Sequence, residues 1–354
     1  MLGIVGGASI GGVASAAGNS SVVAYATAQV AKYSAIPTKI QETQKFKPKK
    51  GLLFYNISCN LAIVGCAEIS NEIGQATVAM GERFKSCNAG TTASQAASCF
   101  VNAVNAHAAA IVVNDVPRVG SGNGYALAAK AKIPIIGAFT GNPLKTPGEP
   151  TQAAQNASYI EATLLADYII SASNGKAHVL YIGENQDQDG VQRGKGFSSE
   201  MAKCTSCKVT TIPVDFNTEA TSGPPAISAA LTADPSINWV VGNSDGSAAI
   251  AVSVIEQLGK AASISVAGMD ANPQDIQYMK AGRVQKVDAT VGQGEVAWAA
   301  VDAAGLFVTG HKLPLAWPVN IWLITPKNVK KIPSTGVFFG PNGYQAQFKA
   351  LWKG

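Results

Sequence analysis

Seven short apolar runs, at 51–57, 109–113, 133–138, 177–182, 209–214, 239–242 and 264–267, recur along this chain with longer stretches of helical spacing between them. Runs of four to eight residues are too short for most helices, and their alternation with helical stretches is the pattern of βαβ units. Strands that read as continuous apolar runs belong to parallel sheets covered by helices on both faces. The spacing predicts helices over 69–85, 92–106, 125–132, 154–172, 191–203, 227–233, 247–258, 273–281 and 293–308, most of them ending at Gly, Asn or Pro. In such sheets the residues just past the strands face the ligand crevice, so Asp270 and Gln293, each following a short apolar strand, are expected to be neighbours.

At 354 residues the chain exceeds one core of ordinary size, so two lobes and a cleft between them are expected. With 47% apolar and 14% charged residues it is neither disordered nor highly charged. The most basic cluster, Lys45, Lys47, Lys49 and Lys50 around Pro48, lacks interleaved aromatics, which argues against a nucleic-acid surface and for a solvated linker. Residues 1–50 divide into a signal-like apolar run at 2–18, an alanine-rich helix over 22–34, and a mobile tether to the first strand. That apolar run suggests export, and no other stretch is long enough for a membrane span.

Six cysteines fall into three close pairs, Cys59 with Cys66, Cys87 with Cys99, and Cys204 with Cys207. Three local disulfides are the favoured reading, in keeping with an oxidising compartment. A zinc site is disfavoured by a single Cys-x-x-Cys and only three histidines. A redox role for Cys204 and Cys207 would need a helix N-terminus, whereas the motif follows a helix. No metal or cofactor is expected: the glycine-rich stretch at 3–12 precedes any strand, and the phosphate-loop and zinc-protease motifs of common enzymes are missing from the sequence.

Several segments occur in a telling order. Asp115 follows Ile-Val-Val-Asn, Ile-Pro-Ile-Ile ends at Ile136, and Gln-Arg-Gly-Lys-Gly-Phe ends at Phe197. Pro-Val-Asp-Phe then ends at Phe216, Asn-Ser-Asp at Asp245, Val-Ala-Gly-Met-Asp at Asp270 and Ala-Thr-Val-Gly-Gln at Gln293. From residue 52 to about 323 this order resembles the type I periplasmic binding proteins, the ribose-binding-like group that shares its fold with lac-repressor effector domains. The resemblance implies an α/β fold of two Rossmann-like lobes with parallel sheets. Three crossover hinge segments would join them, near 153–157, just before Gln293 and near 321–324. The N-terminal lobe would comprise 51–154 plus 293–322 and the C-terminal lobe 155–292 plus 323–354, with the tail packing on the latter. It also implies an exported, monomeric solute-binding protein that closes on a small molecule and docks on an ABC transporter permease in the membrane.

Carried over by motif, Arg193 is the expected bidentate donor to ligand hydroxyls or a carboxylate, unless it pairs with Asp187 or Asp189. Phe216 matches an aromatic wall, with plain core as its competing role. Asp270 and Gln293 match hinge-side polar contacts, and Ser244 stands where relatives often carry a gripping Asn. Asp245 is either a contact or the N-cap of the following helix. Asn114 and Ser58, at two strand ends, and Arg118, on the loop beyond Asp115, complete the set. Phe139 and Thr140 depart from the family, since many sugar binders have an Asp-Arg pair there. A sugar, polyol or sugar-like ligand remains the main expectation. An aromatic or apolar-bodied acid, or a sensor for a membrane receptor, is the alternative.

Overall fold

A computed structural model describes residues 11–154, 156–185, 188–332 and 340–354, apart from the side chains of 11–18 and 217; residues 1–10 of the signal-like segment, and Asp187, lie outside it. After the N-terminal helix α1 (Gly11–Tyr33), the first lobe runs β1 (Leu53–Ser58), α2 (Val64–Met80), β2 (Arg83–Asn88), α3 (Ala93–Asn105), β3 (Ala110–Asn114), α4 (Arg118–Lys130), β4 (Ile135–Ala138) and β5 (Thr151–Ala153). The second lobe follows with α5 (Ala157–Ala172), β6 (His178–Gly183), α6 (Gln188–Met201), β7 (Lys208–Pro213), α7 (Glu219–Ala233), β8 (Trp239–Val241), α8 (Asp245–Gln257), β9 (Ser265–Met269), α9 (Pro273–Lys280) and β10 (Gln285–Val291). The chain returns to the first lobe through α10 (Gln293–Val308) and β11 (Ala316–Trp317), crosses back into β12 (Ile321–Ile324), and ends in α11 (Tyr344–Leu351).

The first sheet has the order β11-β5-β4-β3-β1-β2 and the second β12-β10-β9-β8-β6-β7. All pairings are parallel except β10 with β12. Register brings the strand ends level, with Ser58 beside both Asn88 and Asn114, and Asn114 beside Ala138. The central strands β1, β3 and β4 are buried along their whole length, which accounts for their legibility as apolar runs. The edge strand β2 reads Arg-Phe-Lys-Ser-Cys-Asn and has no buried residue, so the sequence pattern ran the preceding helix on to residue 85. That helix stops at Met80 because Gly81 takes a left-handed cap at φ 94°.

The three expected cysteine pairs are bonded: Cys59 to Cys66, Cys87 to Cys99, and Cys204 to Cys207. Among the described residues no helix is long and apolar enough to cross a membrane.

Both chain ends depart from expectation. Residues 19–50 are docked rather than a free tether: Ala26 is fully buried against α5 of the second lobe, with Val22, Val23, Val30 and Tyr33 around it. The following strap crosses to the first lobe, where Phe46 enters the core close to Gly305 of α10. The tail splits as well. Val329 and Ile332 pack on the second lobe beside Trp322, but α11 packs on the first, where Trp352 stacks on Trp298 at 5.4 Å. The apolar face of Tyr344, Phe348 and Leu351 finds its complement only there, and Glu72 fixes it by accepting from Trp298 Nε1 at 2.8 Å and Tyr344 Oη at 2.7 Å. Strap and tail run together, joined by Phe46 N donating to Leu351 O at 3.0 Å and Asn328 Nδ2 to Ser34 O at 3.0 Å. The third crossover is 318–320, between β11 and β12, rather than 321–324.

Because Phe348 is buried against the stacked pair of Trp298 and Trp352, Phe348→Ala is expected to cost about 3 to 5 kcal/mol in urea denaturation. A loss within error would mean that α11 contributes nothing to the first-lobe core.

Candidate functional site

The levelled strand ends of the two sheets leave a cavity of about 300 Å³ between the lobes. Arg193, on α6, reaches its centre. Its Nη1 donates to the carbonyl of Asn243 at 2.9 Å, its Nη2 pairs with Asp270 Oδ1, and Glu161 Oε2 of α5 lies 3.7 Å away. Burial works against the guanidinium charge, but Asp270, Glu161 and Asp189 outweigh it and hold its pKa above the ordinary value. Burial lifts Glu161 to about 8 despite the pull of Arg193. The expectation that Asp270 and Gln293 are neighbours holds: Gln293 Nε2 donates to the Asp270 carbonyl at 3.5 Å, and both line the cavity.

Three carboxamides on the cavity wall are buried, and their orientation is set by acceptors behind them. Asn243 Nδ2 donates to Gly190 O at 3.1 Å and to Tyr181 Oη at 2.8 Å, and Asn114 Nδ2 donates to Cys66 O at 3.2 Å and to Ser58 Oγ at 2.9 Å. Among the described residues the oxygens Asn243 Oδ1, Asn114 Oδ1 and Gln293 Oε1 have no hydrogen-bond partner, and neither do Arg193 Nε and Glu219 Oε2. Buried polar atoms left in this way cost free energy unless a bound molecule satisfies them. Three wall residues that directly follow strands also hold left-handed backbone, Asp115 at φ 48°, Phe139 at φ 57° and Asp270 at φ 107°. Non-glycine residues take such angles rarely, and they concentrate where a side chain must be aimed.

Of the expected site residues, the cavity brings together Arg193, Asp270, Gln293, Phe216, Phe139, Ser244 and Asn114. Four others stand elsewhere. Thr140 turns into a polar cluster behind the wall, donating to Glu149 at 2.9 Å. Arg118 lines a separate surface groove, where its backbone N donates to Asn142. Ser58 lies behind Asn114, its hydroxyl spent on Cys66 O at 3.1 Å. Asp245 is neither contact nor cap, since Ser244 caps α8 through a capping box with Ser247 and Asp245 is buried in the first turn, accepting from Asn272 N. Arg193 pairs with Asp270 and Glu161 and also feels the charge of Asp189, while Asp187 lies outside the described residues.

Sequence reasoning missed Glu161, Glu184, Asp189, Glu219 and Asn243, all of which line the cavity. Asn243 was within reach, one place before Ser244 in the same motif. The acids give no such signal, because a lone carboxylate in a helix or loop ordinarily belongs to the solvated surface.

The family model for periplasmic binding protein domains matches residues 56–312. The chain belongs to that family. Its fold matches solved solute-binding proteins of ABC transporters, while no curated protein matches it at the sequence level. One, from Agrobacterium vitis with bound allitol, is 16% identical, covers 80% of this chain and 98% of its own, and superposes with a TM-score of 0.72. Another, from Bacillus halodurans with bound myo-inositol, is 20% identical over 80% of this chain and 96% of its own, at 0.69. A third, from Thermotoga lettingae with 5-methylthioribose, is 18% identical over 86% and 99%, at 0.72.

Below the second-lobe wall Asp245 shares its burial with Asp275 and Asp288. Burial raises Asp245 well above the ordinary carboxylate range, with Asp275 adding to it, and raises Asp275 to about 8 and Asp288 to about 7. The folded state therefore holds protons that the unfolded chain releases near its ordinary value of 3.8. The resulting stabilisation is complete below that value and is lost as pH rises through 7 to 8. The melting temperature should fall from pH 6 to pH 9, and Asp275→Asn should flatten the fall; an identical slope in the variant would remove the triad as its source.

Proposed function

We propose that this chain is the extracytoplasmic solute-binding component of an ABC-type importer, taking a small polyhydroxylated molecule into the interlobe cleft and passing it to a membrane permease as a monomer. The observation that carries this reading is the cluster of Arg193, Asp270 and Glu161, set among buried donors and acceptors that lack hydrogen-bond partners among the described residues. Guanidinium, carboxylate and carboxamide side by side form the donor and acceptor mixture that a ring of hydroxyls satisfies, since each hydroxyl both donates and accepts. Phe139 and Phe216 supply rings on which a carbon skeleton can lie. The allitol and myo-inositol bound by two proteins of the same fold are consistent with such a ligand.

An aromatic or apolar-bodied acid suits the site less well, because the cleft already holds several carboxylates around one arginine. Binding rather than catalysis accounts for the wall, whose polar groups converge on hydrogen bonding. We take Ala154 and Asn156, Gly292, and 318–320 as the hinges between the lobes, from the points where the chain passes between the two sheets. Closure then requires a ligand that contacts both lobes, since only a difference in affinity between open and closed forms shifts their populations.

Calorimetry against a panel of pentoses, hexoses and polyols is expected to find a binder, and small-angle scattering is expected to show contraction on its addition. Arg193→Ala should weaken that binder by about 1.5 to 3 kcal/mol, the range for charge-assisted hydrogen bonds. Failure of the whole panel, or an Arg193→Ala variant that binds as tightly as the parent, would overturn the reading.

A further inference from the structure

The two walls of the cleft differ in kind. Six carboxylates line it, Asp115, Glu161, Glu184, Asp189, Glu219 and Asp270, and among the described lining residues Arg193 is the only basic one. All but Asp115 stand on the second lobe. The first lobe faces them with the apolar Ile63, Val64, Ile69 and Phe139, beside the polar Asn114, Asp115 and Gln293. Burial raises Glu161 to about 8 and Glu219 to about 7, which lightens the wall's charge, but the other four acids still outnumber the one guanidinium, which already pairs with Asp270.

A second observation has the same sense. Among the described residues the buried wall atoms without hydrogen-bond partners are mainly acceptors: the carboxamide oxygens of Asn114, Asn243 and Gln293, together with Glu219 Oε2, against the single donor Arg193 Nε. Asn114 and Asn243 cannot be reversed to offer donors without losing bonds to the carbonyls of Cys66 and Gly190, which only accept. The cleft therefore lacks hydrogens and positive charge together. A neutral polyol brings hydrogens alone, whereas an ammonium group brings three donors and the charge. A metal ion fits poorly. Among the described residues no three of these carboxylates approach one another closely enough to share one, and the only group that does so includes the disulfide-bonded Cys59 and Cys66.

We propose that the ligand is a hydroxylated molecule bearing a protonated amine, with its ammonium against the carboxylates of the second lobe and its carbon skeleton on the apolar face of the first. This rests on the reading of the cleft as the ligand site of a solute-binding protein, and it narrows the solute to an amino sugar or amino polyol. Glu219 is the natural partner of the ammonium, since its Oε2 has no hydrogen-bond partner among the described residues, and Asp189 lines the same wall. Phe139 and Phe216 add ring faces, which favour a nearby cation over an anion.

Calorimetry at pH 7 on the folded protein, with matched probes, tests this: glucose against glucosamine, galactose against galactosamine, and sorbitol against 1-amino-1-deoxysorbitol. In at least one pair the amino member is expected to bind about tenfold or more tightly than its neutral partner, as a charge-assisted hydrogen bond provides. Glu219→Gln or Asp189→Asn should weaken the amino member by a larger factor than the neutral one and so abolish most of that preference, with an unaltered ligand-free melting temperature showing that each variant folds. If the neutral member binds as tightly or more tightly in every pair, or if both variants keep the full preference, the amine is wrong while the polyol reading stands. If no member of any pair binds, both fail.

Discussion

A guanidinium drawn out of water at the meeting point of two lobes has to be neutralised where it sits, and that requirement organises the second lobe of this protein. Arg193 needs Asp270 from the end of β9, Glu161 from the start of α5 and the carbonyl of Asn243 beyond β8, so three elements must reach their places before the charge is tolerable. Removing one partner of a buried ion pair typically costs about 3 to 5 kcal/mol, a large share of a domain's whole stability. The cluster is therefore weak evidence for stability and better evidence for specification. It defines where the cleft wall stands and what may approach it.

Parallel topology makes such a cluster possible. Every strand of a βαβ series ends on the same side, and the register that sets Ser58 beside Asn114, and Asn114 beside Ala138, brings those ends to one level. The strap carrying Phe46 and the tail carrying α11 are tied to each other on both lobes, through Asn328 and Ser34 on the second and Phe46 and Leu351 on the first. The first lobe's core is thus completed by residues from both extremities of the described chain, with Phe46, Phe348 and Trp352 around α10.

The buried middle of each sheet was legible in the sequence because strands covered on both faces must be apolar throughout, as 109–113 and 177–182 are. The edge strand β2 and the two-residue β11 were not legible, since neither buries enough surface to leave a pattern. Within the site, residues tied to ordered motifs were found: Arg193 four places before Phe197, Asp270 after its strand and Gln293 at a helix start. Residues whose role depends on the other lobe or on a neighbouring helix escaped. Glu161 is an ordinary helical glutamate until α6 brings Arg193 to it. Thr140 and Asp245 erred in the opposite sense, because a strand-end position fixes where the backbone is but not which way its side chain turns.

The left-handed backbone at Asp115, Phe139 and Asp270 has an evolutionary consequence. Each such angle in a non-glycine residue carries a strain of about 1 to 3 kcal/mol, which glycine would relieve. At these three positions the substitution that most relaxes the chain is also the one that strips the cleft of a carboxylate or a ring. Selection for a sturdier fold and selection for a grip on the ligand therefore pull in opposite directions at the same residues. A lineage released from the need to bind should lose these side chains to glycine before it loses any part of its sheets.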